Sequence, residues 1–545
     1  MKKIISWIFC FLVYSNLGAQ NNLKIPQNWH LLSPAKDNWH GINLNGAYSF
    51  LKQKNTMAQK LIVAIIGTSG IDASHEDLKG KIWTNKKEIP NNKIDDDKNG
   101  YVDDVLGWNF LGKKNGETFD FTNTEKARMY QRFNSKYGDK SIDSNRLMSR
   151  EKYEYRNWLP LREEYKQLKF DFEVYQRGLQ VLERYANALS NAMKVKDFTL
   201  EMLEKYEPTI EENKKEKKGF IDFTKSLNIT KKETSAEILE SFQTYFNENF
   251  KSKVDAFEQE DLRSTIIGDA ENDLSDKNYG NNKVDNTLGG ITIFGGIIAA
   301  NRDNKIGING IASNVEIMPI IAVPSIGDEY DKDIALAIFY AVDNGAKVIL
   351  MGFGKNYSLH KDLVDDALLY AAQKDVLIVH SVGNDGKEIT GTYYPSLTTI
   401  NGNKIVPNFI RVAASSDPKF DENKSVIAPF TSYGKDNVHV FAPGANIYTT
   451  FSSAIEKYSE VSNSAMAASV VCGLAALIRS NFPKLTAIQV KQIIEQTVYK
   501  PNPTIVKVNK EESLKIVDIK TLCTSGGIID AEAAVKMAFA ISSKK

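Results

Sequence analysis

The sequence predicts an α/β fold, a parallel sheet flanked by helices, with a long α-helical insertion. Short apolar, β-branched runs recur at 62–66, 315–321, 347–351, 376–380 and 409–413. Helix-patterned segments such as KDIALAIFYAVDNGA and KDLVDDALLYAAQKD separate them. Strand–helix alternation of this kind marks a parallel sheet covered on both faces. The span 116–275 breaks the alternation, being rich in Lys, Glu, Tyr and Asn and poor in Gly.

At the N-terminus, Lys2 and Lys3 precede an apolar run from Ile4 to Val13, and Leu17-Gly18-Ala19 follows as a small-residue cleavage site. The run is too short to span a bilayer and reads as a signal peptide over 1–20, so the expected protein is exported, periplasmic or secreted. An uncleaved membrane anchor is the alternative. Residues 21–60 read as an extension docking on the core. The α/β domain is expected over 61–115 and 276–542, split by the insertion at 116–275. The net charge of the 545-residue chain is +1, which gives no electrostatic case for a nucleic-acid partner. Cys472 lies in an apolar helix and reads as a small core residue; pairing with Cys523 in an oxidising compartment stays open.

Within the insertion, Leu161, Tyr165, Leu168, Phe172, Tyr175, Leu179, Leu182, Ala186, Leu189 and Met193 are spaced alternately four and three apart. That spacing is one face of a long helix. A helical hairpin packing on itself and an intermolecular coiled coil both fit it. The charged segment 209–235 reads as a loop or hinge.

KIDDDKNGYVDDVLGW (93–108) carries Asp95, Asp97 and Asn99 at alternating positions before Gly100, with Asp103 and Asp104 following. This is close to a calcium-loop pattern, in which alternating oxygens suit a hard cation and Gly permits the turn. Leu106 stands where the bidentate Glu belongs, and Asp103 or Asp104 is the candidate substitute. The expected role is a structural calcium site; the alternative is a solvated acidic turn.

Three further motifs carry chemistry. LIVAIIGTSGIDASHEDLKGKIW (61–83) is a strand running into Ser69-Gly70-Ile71-Asp72, His75 and Asp77. LGGITIFGGIIAANRDNKIGINGIASNVEIMPI (288–320) contains Thr292, Gly296 and an apolar helix. VSNSAMAASVVCGLAALIRS (461–480) opens a second small-residue helix. Together they resemble the three motifs of subtilisin-like serine proteases (subtilases), which carry Asp, His and Ser. The resemblance covers about 60–115 and 276–540. At each catalytic position this chain departs from it: Gly67 or Thr68 replaces Asp, Gly290 replaces His, Ala465 replaces Ser. A hydroxyl nucleophile needs a base, and the base needs a partner that fixes its tautomer and balances its charge.

Other family segments are similar. VLIVHSVGNDG (376–386) resembles the oxyanion segment, which puts Asn384 at the donor position; a plain turn residue between Gly383 and Gly386 is the other reading. AKVILMGFG (346–354) resembles the strand bordering the substrate cleft, which implies cleft roles for Gly352, Phe353, Gly354 and Ser464. The resemblance implies a subtilisin-like sheet that holds a peptide or protein ligand without cutting it. Two rivals remain: an active serine endopeptidase with a displaced triad, using Ser464 with His380 or Asp72, and an envelope scaffold working through the insertion, by a protein partner or self-association.

Overall fold

The computed structural model describes residues 25–544 except 114–115, 139, 226–229, 401–404, 421–423, 502–504 and 511–512. The signal peptide expected over 1–20 lies outside the described residues. The chain divides into two compact units, one running to Glu125 and resuming at Leu262, the other Lys126–Asp261.

The first unit is built on seven parallel strands: β1 (Leu61–Gly67), β2 (Trp108–Asn109), β3 (Val315–Ile321), β4 (Val348–Met351), β5 (Leu377–Ser381), β6 (Phe409–Ser415) and β7 (Val440–Pro443). Their order is β2-β3-β1-β4-β5-β6-β7. The five apolar runs read from the sequence are the five strands β1 and β3–β6. They are buried almost without interruption, as strands covered on both faces are. β1 has β3 on one side and β4 on the other. The chain therefore reverses direction across the sheet at β1, and the crevice beyond its C-terminal end is where α/β sheets place ligands.

One face of the sheet is covered by helices Ile291–Ala299 and Ser464–Asn481, and the other by helices Asp331–Asp343 and Lys361–Gln373. Ser464–Asn481 begins where Asn463 accepts the Met466 N–H, a side-chain N-cap. Its small residues let it lie close to its neighbours: a Cβ on Gly473 would sit 2.8 Å from the Cβ of Ile311. Residues 25–60 belong to the same core. Trp29 is fully buried and donates to the Asn446 carbonyl at 2.9 Å. Helix Leu44–Gln53 packs on the C-terminal helix Ala531–Ser542. Two antiparallel hairpins, β8 (Ile447–Thr450) with β9 (Tyr458–Val461) and β10 (Ile505–Lys510) with β11 (Ser513–Asp518), complete the unit. Cys472 and Cys523 are both buried free thiols, so the pairing left open above is not made.

The second unit is helical. Its longest element, Ser149–Met193, runs through Pro160. The apolar stripe faces inward, with Leu179, Leu182, Ala186 and Leu189 packed on Phe198, Phe220, Ile238, Phe242 and Phe246. Segment 209–235, expected to be a loop or hinge, is instead mostly helical: Glu211–Lys225 is a helix with Phe220 and Thr224 buried one turn apart. Its charges occupy the outer face, and the sparse inner stripe was too short to register as periodicity.

Candidate functional site

The site forms where β1, β4 and β5 end and where two helices begin. Thr68 follows β1 directly. Ser69 (φ 50°) and Gly70 (φ 78°) turn the chain through the left-handed region. Gly70 is needed there both for its dihedral and because a Cβ would collide with the Val284 carbonyl. The turn meets the head of helix Ile291–Ala299: the Ser69 hydroxyl accepts the Gly290 N–H at 3.0 Å, and the Gly70 carbonyl accepts the Ile291 N–H at 2.9 Å. A Cβ on Gly290 would lie 2.8 Å from Thr68 Oγ1. Thr68 and Gly290 therefore face each other. Gly67 lies one residue earlier, within β1, where a Cβ would meet the Ile291 side chain at 3.2 Å. Of the two candidates for the first position, Thr68 faces Gly290 and Gly67 does not.

The other motif residues of this corner are structural. The Asp72 carboxylate takes the Ser74 N–H at 3.0 Å, the Ser74 hydroxyl at 2.6 Å, and both the amide and hydroxyl of Ser453. Burial pushes its pKa up, but the hydrogen bonds from Ser453 and Ser74 outweigh that and hold it below the usual carboxylate value. His75 contacts the Lys457 carbonyl through Nε2 at 2.8 Å, and its Nδ1 accepts the Asp77 N–H at 3.2 Å. Asp77 holds Asn304 and the Ile308 N–H.

The second corner is the head of helix Ser464–Asn481. The Asn384 carbonyl oxygen accepts the Ser464 N–H at 2.7 Å. The Met466 N–H is taken by Asn463 at 3.0 Å. The Ala465 N–H between them belongs to the first turn, which has no intrahelical acceptor. The exposed Asn384 side chain stands with its carbonyl engaged and its amide N–H group without a protein partner among the described residues. Ala465 is 5% exposed, and its methyl would lie 3.0 Å from a Cβ on Gly352. The Ser469 hydroxyl, where the resemblance expects Pro, donates back to the Ala465 carbonyl at 2.8 Å. Gly352, Phe353 and Gly354 follow β4 and are half-buried.

Ser464, the nucleophile of the displaced-triad alternative, has a buried hydroxyl with no hydrogen-bond partner among the described residues. His380 lies on β5, fully buried between Tyr393 and Phe409, with its Nδ1 accepting from Arg411 at 3.3 Å. Burial, helped by the charge of Arg411, holds its pKa well below the ordinary histidine value, so this imidazole stays neutral.

In the Asp-rich loop, carboxylate oxygens of Asp95, Asp97 and Glu88 lie within 4.8 Å of one another. Glu88 was missed from the sequence because it lies outside the D-x-D-x-N-G run. Asn99 and Gly100 turn their amides onto Asp95, at 3.0 and 2.8 Å. Asp103 and Asp104 point elsewhere. Asp103 accepts the Asn92 and Lys93 amides. Asp104 accepts from Tyr340 at 2.6 Å and from Asn85 and Asn99. Three carboxylates around one point are a donor set suited to a hard divalent cation.

Residues 58–516 match the model of the peptidase S8 subtilase family. The chain belongs to the subtilase family. It is 34% identical over 213 residues to a thermophilic serine proteinase of Bacillus sp. (strain AK1), covering 39% of this chain and 47% of that one. It is 33% identical over 208 residues to subtilisin DY of Bacillus licheniformis, covering 38% of this chain and 69% of that one. It is 32% identical over 237 residues to the cell wall-associated protease of Bacillus subtilis (strain 168), covering 44% of this chain and 23% of that protein. The chain thus spans about half the length of the curated relatives it matches. In this subtilase Thr68 and Gly290 meet at one corner of the site, and Ala465 stands at the head of helix Ser464–Asn481.

Proposed function

We propose that this subtilase is an exported, non-catalytic protein that holds a peptide, or an extended segment of a protein, in the cleft between β1, β4 and β5. One observation carries the reading. Thr68 and Gly290 face each other with neither an imidazole nor a carboxylate between them, while Asn384 and the head of helix Ser464–Asn481 keep their hydrogen-bonded arrangement. The first arrangement offers no base to a nucleophile, and Ala465 offers no nucleophile. The second offers two unspent N–H donors, on Asn384 and Ala465, to a peptide carbonyl. Export is supported by the N-terminal pattern and by relatives such as the cell wall-associated protease.

Two measurements test this. A fluorophosphonate should leave the protein unlabelled, and covalent labelling at Ser464 would defeat the reading. A fluorescein-labelled Ala-Ala-Ala-Gly amide should bind the full chain in an anisotropy titration, and Asn384→Leu should weaken it.

Calcium fits as a stabilising ion held by Glu88, Asp95 and Asp97, with oxygens only and no role in chemistry. Added calcium should raise the melting temperature and EDTA reverse it, and Asp95→Asn should remove the difference. A calcium-insensitive wild type would reject the site.

A scaffold role through the helical unit is a second reading. It is favoured by Phe170 and Val174, which are 62% and 50% exposed one turn apart on the longest helix. Replacing both by Glu should abolish any partner binding or self-association measured by sedimentation and leave peptide binding intact.

A further inference from the structure

Gly352, at the end of β4, abuts Ala465, and Asn384, beyond β5, holds Ser464. The loops after two neighbouring strands therefore both reach the same helix head. The gap between them adjoins the two N–H donors. That gap is filled from within the chain. A Cβ on Gly354 would lie 2.6 Å from both the Cζ and the hydroxyl of Tyr393, and a Cβ on Gly383 would lie 3.1 Å from the same hydroxyl. The Tyr393 ring thus stands between the two loops, packed against two bare glycine backbones.

The ring is held in place from behind. Arg411, 1% exposed, donates to the Tyr393 carbonyl at 3.0 Å and to the Pro395 carbonyl at 2.7 Å. Its guanidinium lies 5.5 Å from the Tyr393 ring centroid, within cation–π range. The His380 ring centroid is 5.6 Å away on β5. An aromatic with its backbone clamped and its face covered by a buried cation does not swing aside as an exposed side chain does.

We propose that Tyr393 determines the specificity of the cleft by occupying its side-chain pocket, so that the ligand is a peptide with glycine at the residue whose carbonyl meets Asn384 and Ala465. The inference rests on the peptide-binding reading and adds the chemistry of the ligand. A larger residue there has either to displace the ring or to give up the hydrogen bonds of its carbonyl.

The test is an anisotropy panel of fluorescein-labelled Ala-Ala-Ala-X amides with X as Gly, Ala and Phe, on the full chain and on Tyr393→Ala. Wild type should bind the Gly peptide about tenfold or more tighter than the Phe peptide, the scale on which a hydrophobic pocket discriminates by size. Tyr393→Ala should abolish or reverse that ratio, and Tyr393→Phe, which keeps the ring, should preserve it. Equal wild-type affinity for Gly and Phe peptides would overturn the assignment, and this arm holds even if Tyr393→Ala does not fold. An unchanged ratio in a folded Tyr393→Ala would overturn it too. Binding that is indifferent to Asn384→Leu for every peptide would instead remove the peptide-binding reading, and the specificity assignment with it.

Discussion

The two corners of the cleft have had different fates. At the corner made by β1 and helix Ile291–Ala299, Thr68 Oγ1 faces a bare Gly290. At the corner made by β5 and helix Ser464–Asn481, Asn384 holds the Ser464 amide at 2.7 Å, and the Ala465 N–H has no protein partner among the described residues. Under the non-catalytic reading proposed above, the hydrogen-bonding framework is kept without the proton-transfer machinery. The framework also serves as a tie between the turn after β5 and the helix head.

The sharpest way to break this contrast is to rebuild the emptied corner. Thr68→Asp with Gly290→His and Ala465→Ser should hydrolyse a chromogenic ester roughly 10³-fold faster than Ala465→Ser alone, which gains a hydroxyl but neither the His nor the Asp. Equal rates in the two variants would mean that Thr68 and Gly290 do not face residue 465. Next in size, Asn384→Leu should weaken the Ala-Ala-Ala-Gly amide by up to about tenfold, the worth of one hydrogen bond. An unchanged affinity would show that the retained corner is only a helix cap.

A change in the other compact unit serves as the control. Leu182→Ala, fully buried in the helical unit, should cost about 2–5 kcal/mol of that unit's stability by the cavity it leaves. It should leave peptide affinity unaltered, as calorimetry beside the anisotropy titration would show. The smallest effect concerns pH. Burial raises the Glu329 carboxyl from 4.5 to about 7. The folded protein therefore binds a proton that the unfolded chain has released between those values, and stability falls as pH rises from about 4.5 to about 7. Glu329→Gln should flatten that part of the melting-temperature profile; an identical slope in wild type and variant would assign it to another group.

How much of this was legible in the sequence depended on whether the signal was local. β1 and β3–β6 announced themselves as runs of β-branched residues, and the motif flanks pointed to Gly67 or Thr68, Gly290, Asn384 and Ala465. β2 has two residues, too few for any period. Glu211–Lys225 hid behind its lysines and glutamates. Glu88 joins Asp95 and Asp97 only because the turn folds back. Asp103 and Asp104 fitted the calcium-loop spacing, but Asn92, Lys93 and Tyr340 claim their oxygens. Tyr393 carries no motif at all. Its position between Gly354 and Gly383 is a long-range contact, which periodicity does not reach. Conversely Asp72, His75 and Asp77 look like reactive groups on paper and prove to be staples between loops.

The packing of helix Leu44–Gln53 against helix Ala531–Ser542 has a consequence for how the molecule is made. The element near the start of the described chain and the one near its end complete each other's apolar face, with Phe50 and Phe539 rings edge to face at 5.7 Å. Until helix Ala531–Ser542 has been translated, the apolar face of Leu44–Gln53 lacks this partner. The native core therefore cannot close until helix Ala531–Ser542 has been made, so this contact joins segments that are synthesised far apart in time.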